Sequence, residues 1–269
     1  MRRLQPRHGV WVLVAALALT FVLLGSGMDF DYVIPKRIAR LMAMVIGGVC
    51  IAWSSITFQT LTGNRILTPA IMGYEAIYLL LQALLVLLLG TGSAVLLGSN
   101  GNFLVSVLLL LGYSWLIHRY LLRNGKSNVY FLLLVGLVLT MVIGTFTQFV
   151  QLKVSPGEFS VLQGFSLASF NRVQPQQLLI AGLLMGAVCL VGSRTLATLD
   201  VLALGRDQAM SLGVDYRRSV RLQLALIAAL VAVSTSLLGP RHLWASSWRT
   251  LPMRWPAPSG TGSRWRWAA

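Results

Sequence analysis

Residues 199–221 read LDVLALGRDQAMSLGVDYRRSVR, a polar interlude between two long apolar runs. Within it, 203–212 has the makings of a short helix. Gly213 stands where helices often end in the left-handed conformation, which glycine adopts without a Cβ penalty. On a helical period Leu204, Ala209 and Leu212 share one face. A short helix with such a face belongs at a membrane surface. It either docks another protein or lies against lipid headgroups, and periodicity alone does not choose between the two.

The flanking runs show why a membrane is at issue. The chain has 269 residues, 56% of them hydrophobic and only 11% charged, with a mean hydropathy of +0.74. A soluble domain carries about 25% charged residues to cover its surface. This chain falls far short, so lipid is the expected solvent for most of it. The net charge of +15 does not point to nucleic acid. The basic residues form no stripe, but sit in short gaps between apolar runs.

A helix needs roughly 20 apolar residues to cross about 30 Å of hydrocarbon. Seven stretches qualify, near 10–27, 39–58, 68–90, 103–120, 130–151, 177–196 and 219–238. The basic start, MRRLQPRH, resembles the n-region of a signal peptide. The apolar run after it is too long for an h-region and no clear small-x-small cleavage site follows, so a retained first helix is expected. Gly47, Gly48, Gly136, Gly144, Gly182 and Gly186 suit close helix packing in lipid.

Orientation follows from lysine and arginine in the gaps. Arg2, Arg3 and Arg7, then Arg119, Arg123 and Lys126, then Arg194, Arg206, Arg217, Arg218 and Arg221 fall on one side if every run crosses. The other side has Lys36, Arg37 and Arg40 diluted by Asp29 and Asp31, an uncharged loop at 91–102, and Lys153 with Arg172. The expected N-terminus is therefore cytoplasmic.

Few polar groups lie inside the runs. Glu75 is the clear ionisable one; an intramembrane charge costs roughly 2.5–3.5 kcal/mol and should face other helices or a wet cavity. It is a candidate for lining a pathway, or for a structural hydrogen bond, or it escapes to the interface near Arg65. The fifth run carries Thr140, Thr145, Thr147, Gln148 and Gln151, with Thr140, Thr147 and Gln151 roughly on one face. These either line a path or bond between helices. Cys50 and Cys189 sit in apolar runs and read as small buried hydrophobes. His8, His118 and His242 are scattered. The sequence has no zinc spacing, P-loop, GxSxG or paired catalytic carboxylates. A membrane enzyme is disfavoured for want of a His/Asp/Glu cluster. An ion-coupled secondary transporter is disfavoured for want of internal repeats and of further buried ionisable groups.

The segment LALGRDQAMSLGVD closely resembles the cytoplasmic loop of permease subunits of iron–siderophore ABC importers, the FecCD-like family, which also includes the vitamin B12 and haem permeases. The family pattern LGxxxAxxLGV is met by Leu204, Gly205, Ala209, Leu212, Gly213 and Val214. A second block, FQTLTGNRILTPAIMGYEAIY, is similar to the family's QxLLRNPLAxPxxLG loop. It keeps Gln59, Asn64, Pro69 and Gly73 but puts Gly63, Asn64 and Arg65 in place of the Arg-Asn-Pro core. That variant resembles the branch serving catecholate and mixed catecholate–carboxylate siderophores of the vibriobactin and petrobactin types. The resemblance runs from about residue 10 to Pro240.

It implies an all-α polytopic fold, the type II importer permease with about ten spans, in a bacterial inner membrane. Two permease subunits, identical or paired with a sister chain, would enclose a path. A periplasmic binding protein would deliver ferric siderophore, or vitamin B12 or haem in other branches. The 199–221 loop would couple to an ATPase dimer. The fifth run, with Thr147 and Gln148, would line the path near the dimer axis. No Walker motif occurs, so ATP belongs to the partner ATPase. This chain itself is expected to bind no cofactor or metal and to catalyse no bond chemistry.

From Arg241 the composition changes. The stretch 241–269 lacks Val, Ile, Phe, Lys, Asp and Glu, yet holds five of the eight tryptophans. Two readings are open. One is a basic aromatic tail on the membrane surface. The other is out-of-frame translation: back-translating LWASSWRTLPMRWP around its single-codon Trp and Met permits an apolar run in a shifted frame. The second reading expects 1–240 to be a permease domain with seven of ten spans and 241–269 an aberrant, disordered segment. It brings transport by this chain into question.

Overall fold

The computed structural model describes residues 6–24, 32–90, 98–121 and 129–240. The stretch 241–269, including its expected disorder, lies outside the described residues, as do Arg2 and Arg3. Every regular element among the described residues is helical. The first is α1 (Pro6–Leu23), followed by α2 (Val33–Thr62), a 3-10 turn (Pro69–Met72) and α3 (Tyr74–Leu89). Next come α4 (Gly98–Leu121), α5 (Val129–Gln151), the short α6 (Pro156–Ser166) and α7 (Pro175–Arg194). Two one- to two-turn helices, α8 (Leu196–Leu202) and α9 (Arg206–Ser211), lead into α10 (Tyr216–Leu238).

Five of these helices hold apolar stretches of at least 18 residues, long enough to cross a membrane: Val33–Thr62, Gly98–Ile117, Leu133–Gln151, Pro175–Arg194 and Tyr216–Leu238. Two shorter apolar helices, Trp11–Leu23 and Tyr74–Leu89, correspond to the first and third expected spans. The third expected span, 68–90, is not one continuous crossing. Pro69 lacks a backbone donor, and Gly73 takes φ +83, so the chain makes a turn before α3 begins. Helix α2, at 30 residues, is about 45 Å long and overruns the expected 39–58 at both ends. Pro35 is tolerated there because it lies in the first turn, where backbone donors are unpaired anyway.

The centre of the molecule is α10. It packs on α2, α4 and α7, and two thirds of its apolar window is buried (67%), against 17% for α7. Its sequence explains this position: Ala228, Ala232, Ser234 and Thr235 are all at most 1% exposed, and such small side chains let neighbouring backbones approach closely. Against α2 the fit is tight enough that a Cβ on Gly47 would stand 2.3 Å from Leu238 Cδ1. Outward positions are large and apolar instead, such as Trp11 at 72%, Leu88 at 76% and Leu183 at 76% exposed. That inside-out contrast is the signature of a bundle whose solvent is lipid.

Helix α1 touches the bundle through α2. The Arg37 guanidinium of α2 donates to the carbonyl oxygens of Phe21, Val22 and Leu24. Phe21 and Val22 belong to the last turn of α1, whose carbonyls have no partner within the helix, and Leu24 follows it directly. Helix α6 starts at a capping box: the Ser155 hydroxyl accepts from the Glu158 amide, and the Ser155 amide donates to the Glu158 carboxylate.

Candidate functional site

The polar interlude folds differently from the single helix expected over 203–212. Gly205 takes φ +99, outside the right-handed helical region. It splits the segment into α8 and the shorter α9, Arg206–Ser211. Gly213 does end α9 in the left-handed conformation, at φ +80. The Val214 amide donates to the Ala209 carbonyl at 3.1 Å and the Gly213 amide to that of Met210 at 3.0 Å, the paired bonds of a Schellman motif. Asp215 then caps α10, its carboxylate accepting from the Arg218 amide at 3.1 Å.

The expected shared face of Leu204, Ala209 and Leu212 is also corrected. Ala209 is 0% exposed and packs in the core with Leu202, Val220 and Leu224. Leu204 and Leu212 are 55% and 62% exposed and, with Met210 at 47%, point away from the bundle. The break at Gly205 removes the helical register that would have aligned Leu204 with Ala209. What remains is an apolar outer surface on a rigid, doubly capped base. Inward, α8 packs on α2, and Leu199 and Leu202 are buried.

The loop after α2 forms a second local unit. Gly63 ends α2 at φ +61, and the Ile66 amide donates to the Asn64 side-chain oxygen at 2.9 Å, an Asx turn. The Gln59 carbonyl accepts from the Thr62 hydroxyl at 3.3 Å. Pro69 opens the 3-10 turn, buried, and Gly73 closes it. That turn sits inside the bundle. The Tyr113 hydroxyl of α4 donates to the Met72 carbonyl at 2.9 Å. The Thr140 hydroxyl of α5 lies 3.3 Å from the Ile71 carbonyl and 2.7 Å from that of Gly136. A Cβ on Gly136 would stand 3.0 Å from Met72 Cα and 3.1 Å from the Ile71 oxygen. Thus Pro69, Gly73 and Thr140, separate features in the sequence, meet here.

Glu75 lies in the first turn of α3 and is 3% exposed. It does not escape to the interface near Arg65, which is exposed. A carboxylate in a helix's first turn is favoured by the unpaired amides and dipole there. Beside it Tyr74, fully buried, donates to the Ser114 hydroxyl at 3.3 Å and meets the Tyr113 ring edge-on at 5.7 Å.

The other α5 candidates are not gathered around one cavity. Thr147 is 4% exposed and its hydroxyl donates to the Ile143 carbonyl at 2.7 Å within its own helix. Gln151 is half-buried, while Gln148 lies on the exposed surface between Phe146 and Phe149, whose rings stack. A polar cavity of about 60 Å³ does occur elsewhere, at the end of the bundle where α10 finishes, lined by Tyr78, Ser99, Asn102, Arg172, Gln177 and Ser236 among others. Arg172 donates to the Gly164 carbonyl and its guanidinium lies over Phe165 at 5.0 Å. Nearby, Gln82 and Asn102 exchange two amide hydrogen bonds, at 3.0 and 3.3 Å. Sequence reasoning missed this cavity and missed Tyr113. One signal was available for the latter: a Tyr-Ser pair within the apolar run of α4, where a buried tyrosine hydroxyl must find an acceptor. Among the described residues, no group of three or more His, Cys, Asp or Glu side chains could hold a metal ion.

These elements define a class: a polytopic helical membrane protein with a capped two-helix segment joining its last two described crossings. The fold matches a solved metal-chelate type ABC transporter in an inward-facing conformation, with a TM-score of 0.74 at 18% identity, over 87% of this chain and 74% of that one. The family model described as the FecCD transport family matches residues 10–241, and the chain belongs to that family. Among curated relatives, the petrobactin import system permease protein YclO of Bacillus subtilis (strain 168) is 36% identical over 238 residues, covering 88% of this chain and 76% of the relative. The petrobactin import system permease protein FatC of Bacillus anthracis is 32% identical over 212 residues, covering 79% and 60%. The chain is thus a multi-pass membrane protein with an ABC-importer permease fold.

Proposed function

We propose that this chain is a permease subunit that carries a ferric siderophore, of the catecholate-bearing kind, across the bacterial plasma membrane into the cytoplasm. The observation that carries this is the 36% identity with a petrobactin permease over most of both chains. The 199–221 geometry supports it: exposed Leu204, Met210 and Leu212 form an apolar surface, while Ala209 and the Schellman turn hold that surface rigid. A separate ATPase dimer docks there, on the cytoplasmic side with the N-terminus. A second permease subunit completes the path, and a substrate-binding protein delivers cargo from outside. Glu75, Thr140, Thr147, Gln148 and Gln151 are the path candidates on this chain.

The test is uptake of a ferric catecholate by the assembled system, with and without a hydrolysis-dead ATPase. Uptake that stops with the ATPase is expected. Proton-driven uptake that continues without it would overturn the reading.

We infer also that 241–269 is out-of-frame translation. The family match ends at residue 241, where the composition changes. Reading the nucleotides around Pro240 tests this: an uninterrupted frame with no apolar continuation in the shifted one sinks it.

A further inference from the structure

The 3-10 turn Pro69–Met72 is held by groups from two other helices, and the way it is held points to a mechanical role. Both ends of the linkage are unusual. The turn's backbone rests directly on α5, because Gly136 has no Cβ; an added methyl would press on Met72 Cα at 3.0 Å and the Ile71 oxygen at 3.1 Å. Two successive carbonyls are then met by hydroxyls from two other helices: Tyr113 of α4 donates to Met72 at 2.9 Å, and the Thr140 hydroxyl of α5, which donates to the Gly136 carbonyl at 2.7 Å, stands 3.3 Å from the Ile71 carbonyl. Tyr113 is itself aimed by its edge-on contact with buried Tyr74.

The turn has a second connection. It follows α2 in the chain, and α2 packs against α8, the inner part of the segment that carries the exposed leucines. In the core, Phe58 of α2, Met72 of the turn and Leu202 of α8 belong to one contiguous buried cluster. A displacement of α8 and α9 therefore reaches α5 through packed groups: α8 on α2, α2 into the turn, the turn on α5. Packed interiors transmit strain because they lack free volume.

We propose that Tyr113, Gly136 and Thr140 are positioning residues for transport, clamping the turn so that α2 and α5 move as one body. The proposal rests on the permease reading above. A clamp that only stabilised the fold would change the amount of assembled transporter. A clamp that transmits motion changes how much cargo each ATP moves.

The experiment uses the complete transporter in lipid, with Tyr113→Phe, Thr140→Val, Thr140→Ser and Gly136→Ala. Two quantities are read. The first is uptake of ferric petrobactin per ATP hydrolysed, together with the half-saturating cargo concentration. Tyr113→Phe and Thr140→Val should lower uptake per ATP roughly fivefold, the factor by which one neutral hydrogen bond shifts an equilibrium. The half-saturating concentration should not move, and Thr140→Ser should restore the ratio. Gly136→Ala should lose more, since backbone rather than a side-chain tip must yield. The second readout is hydrogen exchange at the Ile71 and Gly73 amides, which bond to Thr68 and Ala70 within the turn. Exchange should quicken roughly fivefold in Tyr113→Phe.

Unchanged exchange overturns the clamp whatever the cargo is. Wild-type uptake per ATP in Tyr113→Phe and Thr140→Val, or a loss wholly explained by less assembled complex, overturns its role in transport. If the unmutated transporter moves no ferric petrobactin, the cargo reading fails instead, and the exchange data still decide the clamp.

Discussion

Leu212 and Ala209 sit three residues apart and answer to different environments. Leu212 is 62% exposed and Ala209 0%. Leu212→Glu should therefore insert and melt like the unmutated protein, yet fail to retain the ATPase on purification. Full retention would count against the docking surface. Ala209→Leu should do the reverse: overpacking a filled site costs about 1–3 kcal/mol, visible as a lower melting temperature in detergent. Glu75→Gln is informative in another way. It removes a charge from a buried position whose ionised form costs roughly 2.5–3.5 kcal/mol in a span, so insertion should be normal. Altered uptake would support a path role, and unaltered uptake a purely structural one.

Between α9 and α10 one helix ends and the next begins within a few residues, and local capping does the work. Gly213 ends one helix and Asp215 starts the next. Asp215→Ala should cost about 1 kcal/mol, read as earlier thermal unfolding, while Asp215→Asn keeps an acceptor oxygen and should recover most of it. Equal loss in both would mean that the carboxylate's charge, not its hydrogen bond, is what matters. Elements of this kind were partly legible beforehand. Gly213 as a left-handed stop follows from glycine's backbone freedom alone. Gly205 as a break does not, because a glycine inside an apolar-periodic stretch is compatible with helix at modest cost. Only the packing of Ala209 into the core selects the broken form. The turn before α3 was obscured similarly: hydropathy counts Pro69, Met72 and Gly73 as part of a run, and is blind to the backbone geometry they impose.

Across the whole molecule the placement of α10 at the centre organises the rest. Ala232 is 0% exposed, and its neighbours on α10 are buried around the full circumference. Ala232→Leu should destabilise by about 1–3 kcal/mol, whereas Leu183→Ala, at a 76% exposed site on α7, should leave the melting temperature nearly unchanged. A large loss at Leu183 would show that this face is covered in the assembled transporter.

The amino-acid sequence by itself determined the solvent, the class and the family. Seven apolar runs with 11% charged residues leave no soluble alternative, and the Leu204–Val214 pattern carries a family resemblance that needs no coordinates. Those properties are local or compositional, summed along the chain. The clamp on the turn, the inward face of Ala209 and the polar cavity by Arg172 were decided only by tertiary structure. The clamp and the cavity depend on groups 41 to 78 residues apart meeting within about 3 Å, as Tyr113 meets Met72, Thr140 meets Ile71, and Ser99 meets Gln177. Hydropathy and helical period say which side of a helix is apolar. They do not say which neighbour it will face, because in lipid nearly every face is apolar, and the choice falls to shape, small residues and a few hydrogen bonds.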